Sequence, residues 1–332
     1  MNTIAAEGLG GFADTRHVST TSLGVRSYGR ALLAAAEADD RIVCLGADLS
    51  QTTQTDLFRD ELPDRFFMMG IQEAHMIGAA GGMARSGLIP FCHSFCVFIT
   101  RRAYDQVAMQ AAYPDLPVKL VGFLPGLATE LGPSHQAIDD VALMRALPNM
   151  VVLEPSGPEQ IGAAVAAAIE HPGPVYLRLM ARSKQPDRDI PLAPLTIGKG
   201  QILRRGGDIA IIAAGIMVEK AEAAANALAQ AGVGATVVNM ASLKPIDEAL
   251  VIELAETHRA ILTAENHSKI GGLGAAVTDV VARHRLPAAF AMAAIDDSFS
   301  EGAGLPYLLD KCGLTAPALT RAALALHARA GG

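Results

Sequence analysis

One glutamate stands in a run of small and apolar residues, Gly70-Ile-Gln-Glu73-Ala-His75-Met-Ile-Gly78-Ala-Ala-Gly81-Gly82. Two readings fit it. A glutamate in the first turn of a helix interacts favourably with the helix dipole and need do nothing more. A carboxyl in an apolar site has another use: desolvation raises its pKa, so it can share a proton with a ligand nitrogen. The glycines would allow close helix–helix contact, as at a subunit interface. Cys92-His93-Ser94-Phe95-Cys96 has no second Cys or His pair at zinc-site spacing, so it reads as buried thiols beside a strand end rather than a metal centre. Gly8-Leu-Gly10-Gly-Phe-Ala13 fits a loose dinucleotide loop, but no strand precedes it. Walker A and H-E-x-x-H sequences are absent.

These residues need a scaffold. Apolar runs at 41–46, 119–123, 150–153 and 174–179 read as buried strands, and 73–84 as a closely packing helix. Ser156-Gly-Pro-Glu159 offers an N-cap, a proline in the first turn and a Glu three residues after the cap, so a helix should follow to residue 170. A stretch of prolines and charges over 183–194 separates a second block. There, strands at 208–213, 235–240, 260–264 and 289–295 alternate with helices at 218–230, 247–257 and 273–284. Such alternation implies βαβ units and mostly parallel sheets.

Composition narrows the class. At roughly 150 residues per domain, 332 residues suggest two domains. With 51% hydrophobic and 18% charged residues, a long disordered chain is excluded. A net charge of −7 without a basic cluster argues against binding nucleic acid or an anionic membrane. The uncharged run 86–100 holds Pro90 and His93 and is too short to span a bilayer. The N-terminus lacks the order of a secretory signal, and four cysteines are too few for a disulfide framework. Reduced thiols in the cytoplasm are expected.

Several segments together resemble the transketolase family. The Glu73 segment is similar to the family's G-I-R-E-H-A-M or G-I-A-E-Q-N-M, from the domain that binds the pyrimidine of thiamine diphosphate. Gly46-Ala-Asp48-Leu49 matches G-A-D-L. Ser94-Phe95-Cys-Val-Phe98-Ile-Thr-Arg101-Arg-Ala-Tyr104-Asp-Gln106 resembles T-F-x-x-F and its R-A-Y/F-x-Q continuation. Gly132-Pro-Ser-His135-Gln136 resembles D-G-P-T-H-Q, and Tyr176-Leu-Arg178-Leu-Met-Ala-Arg182 resembles Y-L-R-L-G-R. Glu265-Asn-His-Ser-Lys-Ile-Gly271-Gly-Leu-Gly274 resembles the E-E-H-x-x-x-G-G-L-G of the carboxy-terminal domain. The match runs from about residue 25 to 328. The family's G-D-G, which with an Asn holds Mg²⁺ and the diphosphate, has no counterpart. The resemblance therefore implies the second subunit of a split transketolase, in an α2β2 assembly whose partner supplies the metal site. The implied fold is α/β with two doubly wound domains. An arm over 1–20 precedes a pyrimidine-binding domain over 21–185, a linker over 186–200 and a C-terminal domain over 201–332.

The resemblance also implies roles. Glu73 would hydrogen-bond N1′ of the aminopyrimidine and favour the imino tautomer. Phe95, Phe98 and Asp48 would belong to the cofactor site. His135, Arg182 and Arg26 would bind substrate hydroxyl or phosphate groups, arginine because its planar fork holds phosphate with paired bonds. Arg178 reads as structural and Tyr104 as packing. A third pyrimidine-pocket aromatic of the family falls at Arg101. Two departures bear on specificity. Leu131 stands where the family has an Asp that contacts a substrate hydroxyl, and Phe123 where it commonly has a His. Neither replacement offers that polar contact, and a buried hydroxyl without a partner is costly, so a modified sugar is expected. Alternatives are a 2-oxoacid dehydrogenase β subunit, a 1-deoxyxylulose-5-phosphate synthase-like enzyme and a non-catalytic subunit that kept the fold.

Overall fold

The computed structural model describes residues 26–180 and 191–331. The arm over 1–20, Arg182 and part of the linker lie outside the described residues. Two sheets carry the chain. The first contains β1 (Ile42–Gly46), β2 (Phe66–Met68), β3 (Ile89–Phe95), β4 (Lys119–Phe123), β5 (Val151–Leu153) and β6 (Val175–Leu179). The second contains β7 (Gln201–Arg204), β8 (Ile209–Ala213), β9 (Ala235–Asn239), β11 (Ala260–Ser268) and β12 (Ala289–Ile295). Strand β10 (Ser242–Lys244) follows β9 in sequence, yet it pairs antiparallel with β5. The orders are therefore β10-β5-β6-β4-β3-β1-β2 and β12-β11-β8-β9-β7. Among the described residues, every strand pairing is parallel except those of β10 and β7.

The parallel strands inside the sheets are buried on both faces, unlike the edge strands β2 and β12. That is why β1, β4, β6, β8 and β9 read as nearly unbroken apolar runs. Strand β3 is equally buried but holds Pro90, His93 and Ser94, so hydropathy does not reveal it. Pro90 fits because its register partner is Val43 of β1, while pairing with β4 starts one residue later, at Phe91. No second neighbour awaits its missing N–H at that point.

His93 is tolerated because both ring nitrogens are bonded: Nδ1 lies 2.9 Å from the Leu45 carbonyl and Nε2 lies 2.6 Å from the Tyr28 hydroxyl. A carbonyl can only accept, so Nδ1 carries the proton and Nε2 accepts from the tyrosine. Burial pushes the His93 pKa down to about 4. The unfolded chain, with a histidine near 6.5, then binds more protons between pH 4 and 6.5, so stability falls as pH falls through that window. This residue should remove about 2–3 kcal/mol between pH 7 and 4.5. Urea titrations of wild type and His93→Gln at both pH values check it. Equal pH slopes in the two proteins would defeat the assignment.

Ser156 does not cap the helix that follows it. That helix spans Pro158–Glu170 with Gly157 at its cap. The Ser156 hydroxyl instead donates to Asn239 Oδ1 at 2.6 Å, while its N–H bonds Gln160 Oε1. A partner at the end of β9 has drawn the serine away from the cap and made it a tie between the two units. By contrast, Asp247 does cap the helix Glu248–Thr257, accepting from the Leu250 N–H. Among the described residues, no helix is long and apolar enough to cross a membrane.

Candidate active site

Glu73 is the first residue of the helix Glu73–Arg85 and is 3% exposed. Ser94, near the carboxyl end of β3, donates its hydroxyl to Glu73 Oε1 at 3.0 Å. Phe95 closes β3 and leads into the helix Cys96–Arg101, which places Phe98 one turn on. The two rings lie 5.9 Å apart between centroids. His135 comes from the loop after β4 and sets its ring edge against Phe98 at 5.0 Å. Partial burial, then the charge of Arg102, lowers the His135 pKa. Arg102 completes the group: its guanidinium carbon lies 3.8 Å above the Phe98 centroid, and Nη1 lies 3.4 Å from both Glu73 oxygens. The arrangement offers a buried carboxylate, a flat ring joined to it through Arg102, and an imidazole against that ring.

The second unit holds the His135 loop. Asn266 Nδ2 donates to the Pro125 carbonyl at 3.0 Å, and its Oδ1 accepts from the Leu127 N–H at 3.1 Å. Gly126 passes so close that a Cβ would lie 2.2 Å from the Asn266 carbonyl oxygen, and its φ is +57°. Only glycine suits both demands. Gln136 Nε2 donates to the Glu301 carbonyl at 2.9 Å. The Glu265 carboxylate meanwhile caps the helix Leu273–Arg283, accepting from the N–H groups of Leu273 and Gly274 at 2.6 and 2.8 Å. The segment 265–267 thus fastens one unit to the other.

The structure brings together Glu73, Phe95, Phe98 and His135. The other expected site residues within the described range make contacts of their own. Asp48 is exposed just past the end of β1, and its Oδ1 accepts from the Leu49 N–H. Arg26 pairs with Asp56. Leu131 is 63% exposed on the His135 loop. Phe123 is 1% exposed and sets its ring edge-on to Tyr28, so it packs in the core and does not join the cluster. Arg101, at the position of the third aromatic, pairs with Asp139. Tyr104 donates to the Leu143 carbonyl, in keeping with packing. Gly81 touches Gln110 within the chain, whereas Gly78 and Gly82 face open space. Arg102 and Ser94 went unrecognised as members of the site. For Arg102 a signal existed: it lies four residues after Phe98, the spacing that stacks side chains on one helical face.

Residues 25–185 match the family description "Transketolase, pyrimidine binding domain", and residues 198–319 match "Transketolase, C-terminal domain". The 6-deoxy-6-sulfo-D-fructose transketolase subunit SqwH of Clostridium sp. (strain MSTE9) is 43% identical over 298 residues, which cover 90% of this chain and 92% of that protein. The chain belongs to the transketolase family. A solved structure described as "Split gene transketolase, inactive beta4 tetramer" superposes with a TM-score of 0.83 at 42% identity, covering 91% of this chain and 98% of that one. A 1-deoxy-D-xylulose-5-phosphate synthase of Symbiobacterium thermophilum is 33% identical over 91% of this chain but only 46% of its own length. Within the transketolase family, then, the extent of this chain matches subunits of split enzymes. The transketolase family implies dependence on thiamine diphosphate.

Proposed function

We propose that the chain is the pyrimidine-binding subunit of a split, thiamine diphosphate-dependent transketolase that moves a two-carbon ketol unit from a ketose to an aldehyde. The observation that carries this is Glu73, a buried carboxylate linked through Arg102 to the face of Phe98, in a chain that covers 92% of a known transketolase subunit. The residues fit the cofactor's pyrimidine end. A planar ring can stack on Phe98, and Glu73 can hold a proton at a ring nitrogen. When bound, the cofactor supplies the carbanion chemistry of the transfer. The low exposure of Glu73 excludes water from that proton and strengthens the bond. His135 stands where it can meet a substrate hydroxyl or phosphate, with Arg182 and Arg26 as further substrate contacts and Asp48 on the cofactor side. Leu131, exposed on the same loop, would face a substrate that lacks or masks the usual hydroxyl, and Phe123 would act through the core behind the site.

Among the described residues, no three His, Cys, Asp or Glu side chains converge as metal ligands. We assign Mg²⁺ and the diphosphate to a partner chain carrying G-D-G, in a cytoplasmic α2β2 assembly. The test is co-purification with that chain, followed by a donor and acceptor screen with thiamine diphosphate and Mg²⁺. The expected result is ketol transfer by the complex, none by either chain alone, and a preference for a modified ketose over xylulose 5-phosphate. Turnover of 2-oxoacids with no ketose activity would refute the proposal. So would full activity of this chain alone.

A further inference from the structure

Arg102 lies over Glu73 and Phe98 from the solvent side. Its side chain is 47% exposed, while that of Glu73 is 3% exposed. Its planar guanidinium stacks 3.8 Å above the Phe98 centroid and turns N–H groups toward both carboxylate oxygens. A planar, nitrogen-bearing, stacking group that faces a carboxylate shares the recognition features of an aminopyrimidine. The hold is loose. Both bonds to Glu73 are 3.4 Å long, near the outer limit for a hydrogen bond. Neighbouring Arg101 grips Asp139 at 2.8–2.9 Å, and buried Arg178 makes bonds of 2.7–3.2 Å. Arg102 also directly follows the last residue of the short helix Cys96–Arg101, so its side chain can swing into solvent without disturbing a strand.

We propose that Arg102 is a displaceable placeholder, whose guanidinium occupies the space between Glu73 and Phe98 until an aminopyrimidine ring takes it. This rests on the reading of Glu73 and Phe98 as the pyrimidine site. Two consequences follow. While the site waits, the buried carboxylate keeps a cation beside it rather than standing bare. And the apparent affinity for the cofactor is reduced by the fraction of time that Arg102 is docked. An exposed cation–π contact and a half-exposed ion pair are each modest, so that reduction is on the order of tenfold.

The test is calorimetric titration of thiamine diphosphate, with Mg²⁺, into the full chain assembled with its partner. Wild type, Arg102→Ala and Arg102→Lys are compared. Arg102→Ala should bind on the order of tenfold tighter, even though losing a positive charge disfavours an anionic ligand. Arg102→Lys keeps the charge without the planar face and should gain part of that increase. In Arg102→Ala, millimolar guanidinium should compete with the cofactor more strongly than sodium chloride of equal ionic strength. Binding to wild type that is unchanged or weakened in Arg102→Ala overturns the placeholder and leaves the site assignment standing. Absence of binding to wild type and variants alike overturns the site assignment and the placeholder with it.

Discussion

Glu73→Gln should lower turnover of the assembled enzyme by roughly 10²–10⁴-fold while leaving the chain folded, the range expected for losing a positioned proton carrier. Glutamine keeps the size of the side chain, and its amide oxygen still accepts from the Ser94 hydroxyl 3.0 Å away. What it cannot do is hold and return a proton at a ring nitrogen. Burial sharpens the contrast. At 3% exposure, water does not reach the position to substitute for the lost carboxyl. Folding should not suffer, because a neutral amide is easier to bury than a carboxylate. The loss should therefore appear in kcat, with melting temperature unchanged and cofactor binding altered far less than rate. Turnover within tenfold of wild type would show that Glu73 serves only its helix, as its place in the first turn allows.

That ambiguity shows what the sequence discloses. Four strands and three helices of the second unit are legible because the strands are compact apolar runs between amphipathic helices, whereas β7 and the helices Leu305–Lys311 and Ala316–Ala330 are not. Strand β3 is not, since its polar residues are satisfied by partners far away in sequence: Tyr28 and Leu45 for His93, and Glu73 for Ser94. Strand β10 is too short to carry a period, and it pairs with the other unit's sheet. The site was legible through motif resemblance more than through physics. Glu73, Phe98 and His135 sit in recognisable segments, and the fold gathers them. Phe123 stands where the family commonly has a His, and its ring turns edge-on to Tyr28 in the core. Arg102 is the converse: its spacing of four from Phe98 is a faint signal, and the contact with the Phe98 ring in three dimensions reveals its place.

Arg178→Met should cost about 3–5 kcal/mol of stability, the range for breaking a buried ion pair from one side. Nearly all of Arg178's bonding capacity is in use inside the protein. Nε and Nη2 hold Asp140, Nη1 holds Glu154 at 2.7 Å, and Nη2 also reaches the carbonyls of Ala137 and Asn266. Burial alone would push the Asp140 carboxyl up, but Arg178 overcomes this and holds it below its ordinary value. Glu154 ends above its ordinary value, because burial outweighs the same cation. Methionine fills the space but leaves two carboxyls without a cation, and one must take up a proton for the chain to fold. The deficit should therefore be largest near neutral pH and shrink as pH falls toward the carboxylate range. Lysine should recover only part of it, since one ammonium cannot reproduce the planar fork. Adding Asp140→Asn and Glu154→Gln to Arg178→Met should restore more than lysine does, by removing the charges that need a partner. The network also reaches the site. Ala137 closes the base of the His135 loop against Gly126, and Asn266 ties that loop to the second unit. Loosening Arg178 should thus raise KM for substrate in the assembled enzyme before it affects cofactor binding at Glu73. Urea unfolding of the single, lysine and triple variants separates these effects. A loss below about 1 kcal/mol for Arg178→Met, the scale of a surface pair, would mean that the buried ion pairs of Arg178 do not hold the fold together.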